Sequence, residues 1–233
     1  MSILQVSEKI IRKKFITLEE KTGKTINHNE SELFYKDDLI YKIIKEKYRY
    51  ERLKNMHAIE NNKFSFGNNI ENTLYQGDKF IGVTSKYLEN LETLKTYKNK
   101  IDLYELKIIM NYIIKFYEET LENNLIYWDN HMNNFGISNN NFYILDIDSM
   151  KYTEKDIDKS FALNGLFTLF FELYYKTSIR NNYCNYSGVI SLISECENYI
   201  NYKLTLEEIK NIIKDISEDY LESKRKILNM KKI

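Results

Sequence analysis

The sequence contains no proline and only seven glycines among its 233 residues. Together with abundant lysine, asparagine, isoleucine and tyrosine, this composition is typical of a protein encoded by an AT-rich genome and indicates little about chemistry. The chain also lacks an excess of charge, because 34 basic residues balance 34 acidic ones. No global field would attract nucleic acid or an anionic membrane, and we expect neither as a partner.

Cysteine is scarce as well. Cys184 and Cys196 are the two present, and reduced thiols are favoured over a disulfide because a chain of this length needs no covalent staple. No cluster of cysteine and histidine has metal-ligand spacing. The first residues lack the apolar core of a signal peptide, and the most apolar segment, 161–175, falls short of the roughly 20 residues that span a bilayer. We therefore expect a cytoplasmic protein.

The first third of the chain is rich in strand-like segments. The predicted elements are a short amphipathic helix at 3–13, strands at 15–18, 31–35 and 39–44, and a helix from about 45 to 61. The tight turn at 36–38 predicts a hairpin, and Gly77-Asp78 marks the turn of a second hairpin within 73–88.

The remainder is mainly helical. After a short connection near 89–100, the predicted helices are 102–121, 156–176 and one that opens at Thr205, with 125–148 as an interruption. No repeat period or long flexible linker appears. This order predicts an α+β fold with two lobes, of which the first covers 1–88 and the second, helical lobe covers 89–233.

The stretch 125–148 carries the clearest chemical pattern. Asp129 is followed five residues on by Asn134, and the next apolar stretch ends at Asp146 and Asp148. Phosphoryl transfer from a nucleotide needs a carboxylate that orients or deprotonates an acceptor hydroxyl, and an amide and a carboxylate that hold magnesium. Chance co-occurrence in an asparagine-rich chain is the alternative interpretation.

The spacing D-x-x-x-x-N resembles the catalytic loop of the protein-kinase-like superfamily, and the sequence at 145–148 resembles its metal-binding strand end. His131 makes the loop more similar to the aminoglycoside phosphotransferase and choline kinase branch, although a locally bonded turn histidine is an equal alternative. The resemblance implies that Asp129 is catalytic and that Asn134 and Asp146 hold Mg²⁺.

In the same resemblance Asp148 is a possible second metal ligand. Lys42, in an apolar strand, corresponds to the lysine that grips the nucleotide phosphates, and an ordinary surface lysine is the alternative. Glu51 on the following helix is the implied partner of Lys42, with Glu46 and Glu60 as rivals.

The backbone groups of Lys86, Tyr87 and Leu88 look like the hinge that would hydrogen-bond adenine, and an ordinary strand-to-helix loop is the alternative. The segment 27–31, which ends at Ser31, takes the place of the phosphate-covering loop but contains no G-x-G-x-x-G. Glycine lets backbone N–H groups approach phosphate closely, whereas an inward-pointing Glu30 would repel it.

Tyr127 and Trp128 depart from the family, which usually has histidine and then arginine or glycine at these two positions. Tyr127 could still pack against the strand of Asp146.

The resemblance implies a small antiparallel sheet in the first lobe and an ATP- and Mg²⁺-dependent phosphotransferase that acts on a hydroxyl. A small-molecule acceptor is favoured over a protein, because no long peptide-docking segment follows Asp148. One alternative is a pseudokinase or kinase-like scaffold that acts through protein contacts, with or without nucleotide. Another is an unrelated α+β interaction protein.

Overall fold

A computed structural model describes residues 2–26, 29–60, 62–97, 101, 103–155 and eight separate positions beyond them, which are 163, 165, 166, 169, 173, 207, 210 and 211. The described chain is a mixed α/β structure with a mixed sheet, which is consistent with the predicted α+β class. None of its helices is both long and apolar enough to cross a bilayer.

The first part of the chain builds one six-stranded sheet. Its strands are β1 (Ser2–Gln5), β2 (Ile16–Thr17), β3 (Ser31–Lys36), β4 (Leu39–Ile44), β5 (Ile70–Gln76) and β6 (Lys79–Lys86). Their order across the sheet is β1-β5-β6-β4-β3-β2. All neighbours pair antiparallel except β1, which runs parallel to β5.

Both predicted hairpins are confirmed. Strands β3 and β4 are joined by Asp37 and Asp38, whose φ angles of 50° and 59° are both positive. Two consecutive residues of this kind make the type I′ turn that matches the twist of the flanking strands. Gly77, with φ of 62°, lies in the turn between β5 and β6.

The predicted helix at 3–13 is wrong in its first half. Residues Ser2–Gln5 form β1, and helix α1 covers Glu8–Lys14. Leu4 lies opposite Leu74 on β5, so a pairing with a distant strand decides the conformation of this segment.

The predicted strand at 15–18 is shorter than expected, because a helix begins inside it. Helix α2 covers Leu18–Thr22, and Thr17 and Glu20 form a reciprocal capping box at its start. The predicted helix after β4 is confirmed as α3 (Glu46–Glu60).

The connection near 89–100 contains β7 (Glu92–Thr93) and the short helix α4 (Leu94–Tyr97), and the long predicted helix follows as α5 (Leu103–Glu122). Small strands then frame the candidate site. They are β8 (Leu125–Ile126), β9 (Phe135–Ser138), β10 (Asn141–Ile144) and β11 (Lys151–Tyr152). Single 3₁₀ turns cover Met132–Asn134 and Ile147–Ser149.

Most of the predicted helix at 156–176 lies outside the described residues, as does most of the one from Thr205. Four leucines within the former segment are described as helical and buried, which agrees with its expected place in the core; they are Leu163, Leu166, Leu169 and Leu173.

The six-stranded sheet has a core on each face. The smaller one includes Ile11 of α1 and Ile43 of β4, whereas the larger one includes Ile44 and Val83 together with residues of α3 and α5. Side chains alternate between the two faces of a strand, so Lys42 shares a face with Ile44 and lies directly opposite Val83. Lys42 therefore points from the sheet towards the larger core.

Candidate functional site

Lys42 meets two aspartates that lie more than one hundred residues away along the chain. Its ammonium donates a hydrogen bond to Asp148 Oδ1 at 2.9 Å and another to Asp146 Oδ1. Lys42 and Asp148 are buried, and Asp146 is half-buried. Removing these charges from water is costly unless they pair, so the contact explains how the sheet tolerates an inward lysine. The structure thus brings together Lys42 and the acids that the sequence grouped with it.

Asp148 is the most deeply placed of the acids. Burial opposes its ionisation, but the Lys42 ammonium and the Arg52 guanidinium outweigh that effect and hold the pKa of Asp148 below its ordinary value. Its second oxygen, Oδ2, is buried and has no hydrogen-bond partner among the described residues. Buried polar atoms are normally satisfied, so this oxygen can accept a further donor or a cation.

Asp146 is positioned by an unusual backbone conformation. Its φ of 56° and ψ of 33° lie in the left-handed region, between β10 and the turn Ile147–Ser149. Aspartate tolerates this region better than most residues, but the conformation is still unfavourable for an L-amino acid. The bend allows Asp146 and Asp148, two residues apart, to reach the same ammonium.

The predicted catalytic loop is held by its own hydrogen bonds. Asn134 Nδ2 donates to the backbone carbonyl of Asp129 at 3.1 Å, and the N–H of His131 donates to the same carbonyl at 2.8 Å. The Asp129 carboxylate is partly exposed, and its Oδ1 lies 3.4 Å from His131 Nε2. The backbone of the loop is therefore fixed while its carboxylate stays accessible.

Tyr127 links this loop to the strand that ends at Asp146. Its hydroxyl donates to the backbone carbonyl of Leu145 at 2.7 Å. Tyr127 therefore packs against the strand that precedes Asp146, as the sequence suggested. Burial, followed by the charges of Asp129 and Asp148, raises the pKa of Tyr127 well above its ordinary value. The Leu145 N–H in turn donates to the Asn134 carbonyl at 2.8 Å. These bonds hold the loop and the segment that ends at Asp146 in one register.

The predicted pairing of Glu51 with Lys42 is not found. The Glu51 side chain is 59% exposed, and its Oε1 lies 3.1 Å from Lys151 Nζ. The two alternative glutamates do not pair with Lys42 either, because Glu46 pairs with Lys79 and Glu60 lies 3.8 Å from His57.

Helix α3 instead turns Arg52 towards the site. Arg52 lies four and seven residues before the buried Met56 and Ile59, which places all three on one helical face. Glu51 is rotated away by one residue, about 100° on a helix of 3.6 residues per turn. That spacing was visible in the sequence, but the helix also buries polar Arg49 and Asn55, which obscured its inner face.

The predicted hinge begins at Lys86, the last residue of β6, and continues to Leu88. The Lys86 carbonyl accepts from Asn68 Nδ2 at 3.1 Å, and the Tyr87 N–H donates to the Asp38 carbonyl at 2.9 Å. Among the described residues, the Tyr87 carbonyl and the Leu88 N–H have no hydrogen-bond partner. One acceptor and one donor therefore remain for a base.

Ser31 begins β3 opposite Ile44, on the same face of the sheet as Lys42. Its Oγ is buried and has no partner in the described part of the chain. Asn27 and His28, in the predicted phosphate-covering segment, lie outside the described residues.

No group of three or more histidine, cysteine, aspartate or glutamate side chains within the described ranges could hold a metal ion. The predicted magnesium set is of another kind, since it combines the carboxylates of Asp146 and Asp148 with the amide of Asn134. Magnesium prefers oxygen ligands and binds proteins through one or two carboxylates. Asp148 Oδ2, which has no hydrogen-bond partner in the described part of the chain, adds a buried acceptor, so the oxygen donors of this set suit the ion chemically.

Comparisons with known proteins do not assign the chain, because no protein-family model matches it and no curated protein gives a significant match. The functional interpretation rests on the geometry of the site.

Proposed function

We propose that the protein is an ATP- and Mg²⁺-dependent phosphotransferase of kinase-like fold, which transfers a phosphoryl group to a hydroxyl of a small molecule rather than of a protein. One observation carries the proposal. The buried ammonium of Lys42 contacts both Asp146 and Asp148, which is the arrangement needed where a lysine and metal-binding acids share one triphosphate.

Each residue of the site has a task in this proposal. Lys42 supplies a fixed positive charge for the phosphates, and Asn134, Asp146 and Asp148 would hold magnesium. When bound, the metal would neutralise charge that develops on the phosphates. Asp129, accessible beside Asn134, would orient the acceptor hydroxyl and take its proton.

Charge in the site explains why a metal is needed. Lys42 and Arg52 face three acids, Asp146, Asp148 and Glu30, so the group is negative overall when all five are ionised. Such a site repels a free triphosphate, and a divalent cation reverses the balance. We therefore expect nucleotide binding to require Mg²⁺.

The two-lobed plan belongs to the same proposal. Lys42 comes from the six-stranded sheet within 1–88, whereas Asp129 and the acids come from the segment after α5. The Tyr87 carbonyl and the Leu88 N–H, which have no hydrogen-bond partner among the described residues, would receive adenine just after β6.

A thermal-shift titration with ATP and Mg²⁺ tests the proposal on wild type and Asp146→Ala. A ligand that binds the native state stabilises it by RT ln(1 + [L]/Kd), or about 2.7 kcal/mol at one hundred times Kd. We expect a Mg²⁺-dependent shift and ATP turnover in wild type, and loss of turnover in Asp146→Ala and Asp129→Asn. Absence of any ATP-dependent shift in wild type would refute the proposal.

A kinase-like scaffold is the second candidate. Glu30 lies where glycine would normally admit phosphate, which favours weak or absent turnover. Binding of ATP without turnover in every variant would favour this candidate.

A further inference from the structure

Arg52 is a nearly buried cation that the proposed mechanism leaves without a task. Its side chain is 14% exposed, and its Nη2 lies 2.5 Å from Glu30 Oε2. A guanidinium that serves only as a surface counter-ion would remain in water, where such pairs contribute little. Arg52 instead lies on the inner face of α3.

Arg52 lies next to the proposed phosphate site. Helix α3 packs against the turn Ile147–Ser149 that carries Asp148. The charge of Arg52 acts on both Lys42 and Asp148, and that of Glu30 acts on Lys42 as well. Glu30, Arg52, Lys42 and Asp148 thus form one electrostatic group.

Glu30 is held near Arg52 by its backbone and not by its side chain alone. The Lys45 N–H donates to the Glu30 carbonyl at 2.9 Å, and Lys45 Nζ donates to the Asn29 carbonyl at 2.9 Å. The Glu30 side chain is 44% exposed. Its carboxylate can therefore leave Arg52 for water, whereas the guanidinium is confined.

Arginine suits this place chemically. Its planar fork of N–H donors binds carboxylate and phosphate oxygens with the same geometry, so a carboxylate on Arg52 occupies a position that a phosphate could take. The segment 27–31 has no glycine-rich sequence that would bring backbone N–H groups to the phosphates.

We propose that Arg52 binds the terminal phosphates of the nucleotide, in place of a glycine-rich loop, and that Glu30 is its counter-ion until the nucleotide displaces it. This inference rests on the proposed function, since it assigns a phosphate-binding residue to the same site.

Calorimetric titration of the full chain tests the inference with two probes, ATP with Mg²⁺ and adenosine. A charged hydrogen-bonding partner is worth about tenfold to a hundredfold in affinity. We expect Arg52→Gln to weaken ATP binding by about that factor and to leave adenosine binding unchanged. Glu30→Gln should tighten ATP binding several-fold, because it frees Arg52 and removes a negative charge.

Glu51→Gln is the matched control, since it removes a charge from the adjacent residue on the outer face of α3. It should leave the affinities for both probes unchanged. Arg52→Lys keeps the charge but loses the fork, and it serves if Arg52→Gln does not fold. It should weaken ATP binding relative to wild type and leave adenosine binding unchanged.

The outcomes separate the two proposals. Suppose that wild type binds ATP with Mg²⁺, and that the variants at position 52 have the same ratio of ATP affinity to adenosine affinity as wild type. The role of Arg52 is then refuted, and the proposed function stands. Unchanged or weaker ATP binding by Glu30→Gln would likewise refute the inference. If wild type binds neither probe, both proposals fail.

Discussion

Replacement of Lys42 by methionine tests the central ion pair most directly. The substitution keeps the length and most of the volume of the side chain but removes the ammonium that contacts Asp146 and Asp148. Removing one partner of a buried pair leaves an uncompensated buried charge and costs about 3–5 kcal/mol at neutral pH. We expect Lys42→Met to lower the free energy of unfolding at pH 7 by about that amount.

The cost should depend on pH in a defined direction. In wild type the pKa of Asp148 lies below its ordinary value of 3.8, because Lys42 and Arg52 outweigh the effect of burial. Its contribution is therefore present above about pH 3.8 and is lost as the pH falls through the lowered pKa. Without Lys42, we expect burial to dominate and to raise the pKa of Asp148, so the variant should lose stability as the pH rises from about 4 towards about 7.

Urea unfolding of both proteins between about pH 4 and pH 8 measures this difference. The control is Lys79→Met, which removes an exposed lysine paired with Glu46 and should cost about 1 kcal/mol or less. Lys42→Met/Asp148→Asn should recover much of the loss, because no unpaired buried charge remains at position 148. A loss below about 1 kcal/mol with no pH dependence would refute the buried pair.

Two further substitutions test how the site is held. Tyr127→Phe removes the hydroxyl that donates to the Leu145 carbonyl; we expect a loss of about 1 kcal/mol in urea unfolding and a lower kcat with unchanged ATP affinity, whereas an unchanged kcat would contradict this role. Gly82→Ala would place a Cβ 2.0 Å from the Lys42 carbonyl oxygen, so we expect a loss of about 1–3 kcal/mol and weaker ATP binding in calorimetry. The control is Gly77→Ala, at a turn position where a Cβ would meet no other atom within 4 Å, and it should leave ATP affinity unchanged. Equal ATP affinities for wild type and Gly82→Ala would show that β4 and β6 can separate without moving Lys42.

Local signals in the sequence predicted the hairpins and the long helices, because turn residues and apolar periodicity act over a few neighbouring positions. Local signals did not predict the strand at Ser2–Gln5, since its conformation depends on pairing with β5, about seventy residues away. Helix α2 has a local signal in the spacing of Thr17 and Glu20, but the apolar, strand-like residues before it favour a strand over 15–18.

The candidate site, too, was predicted in part from the sequence. The order of motifs suggested that Lys42 and Asp146 would meet, because a lysine inside an apolar strand needs acidic partners. The motif also suggested Glu51, and there the phase of the helix decides. A residue with buried apolar side chains both four and seven positions further on faces inwards, and Arg52 meets that condition through Met56 and Ile59. The resemblance therefore grouped Lys42 with the acids that it contacts, but it assigned to Lys42 a helix partner that the structure does not have.

Several unfavourable features of the described residues lie close together in the candidate site. The left-handed conformation of Asp146 costs about 1–2 kcal/mol. Asp148 Oδ2 has no hydrogen-bond partner within the described ranges, which costs about 1–3 kcal/mol. The buried charges of Lys42 and Asp148 stabilise no better than apolar side chains of similar volume would. Packing alone gives no reason to collect such costs within one turn and one strand. A ligand that satisfies the free oxygen and uses the fixed ammonium gives that reason, and a metal bound to a triphosphate has the required charges.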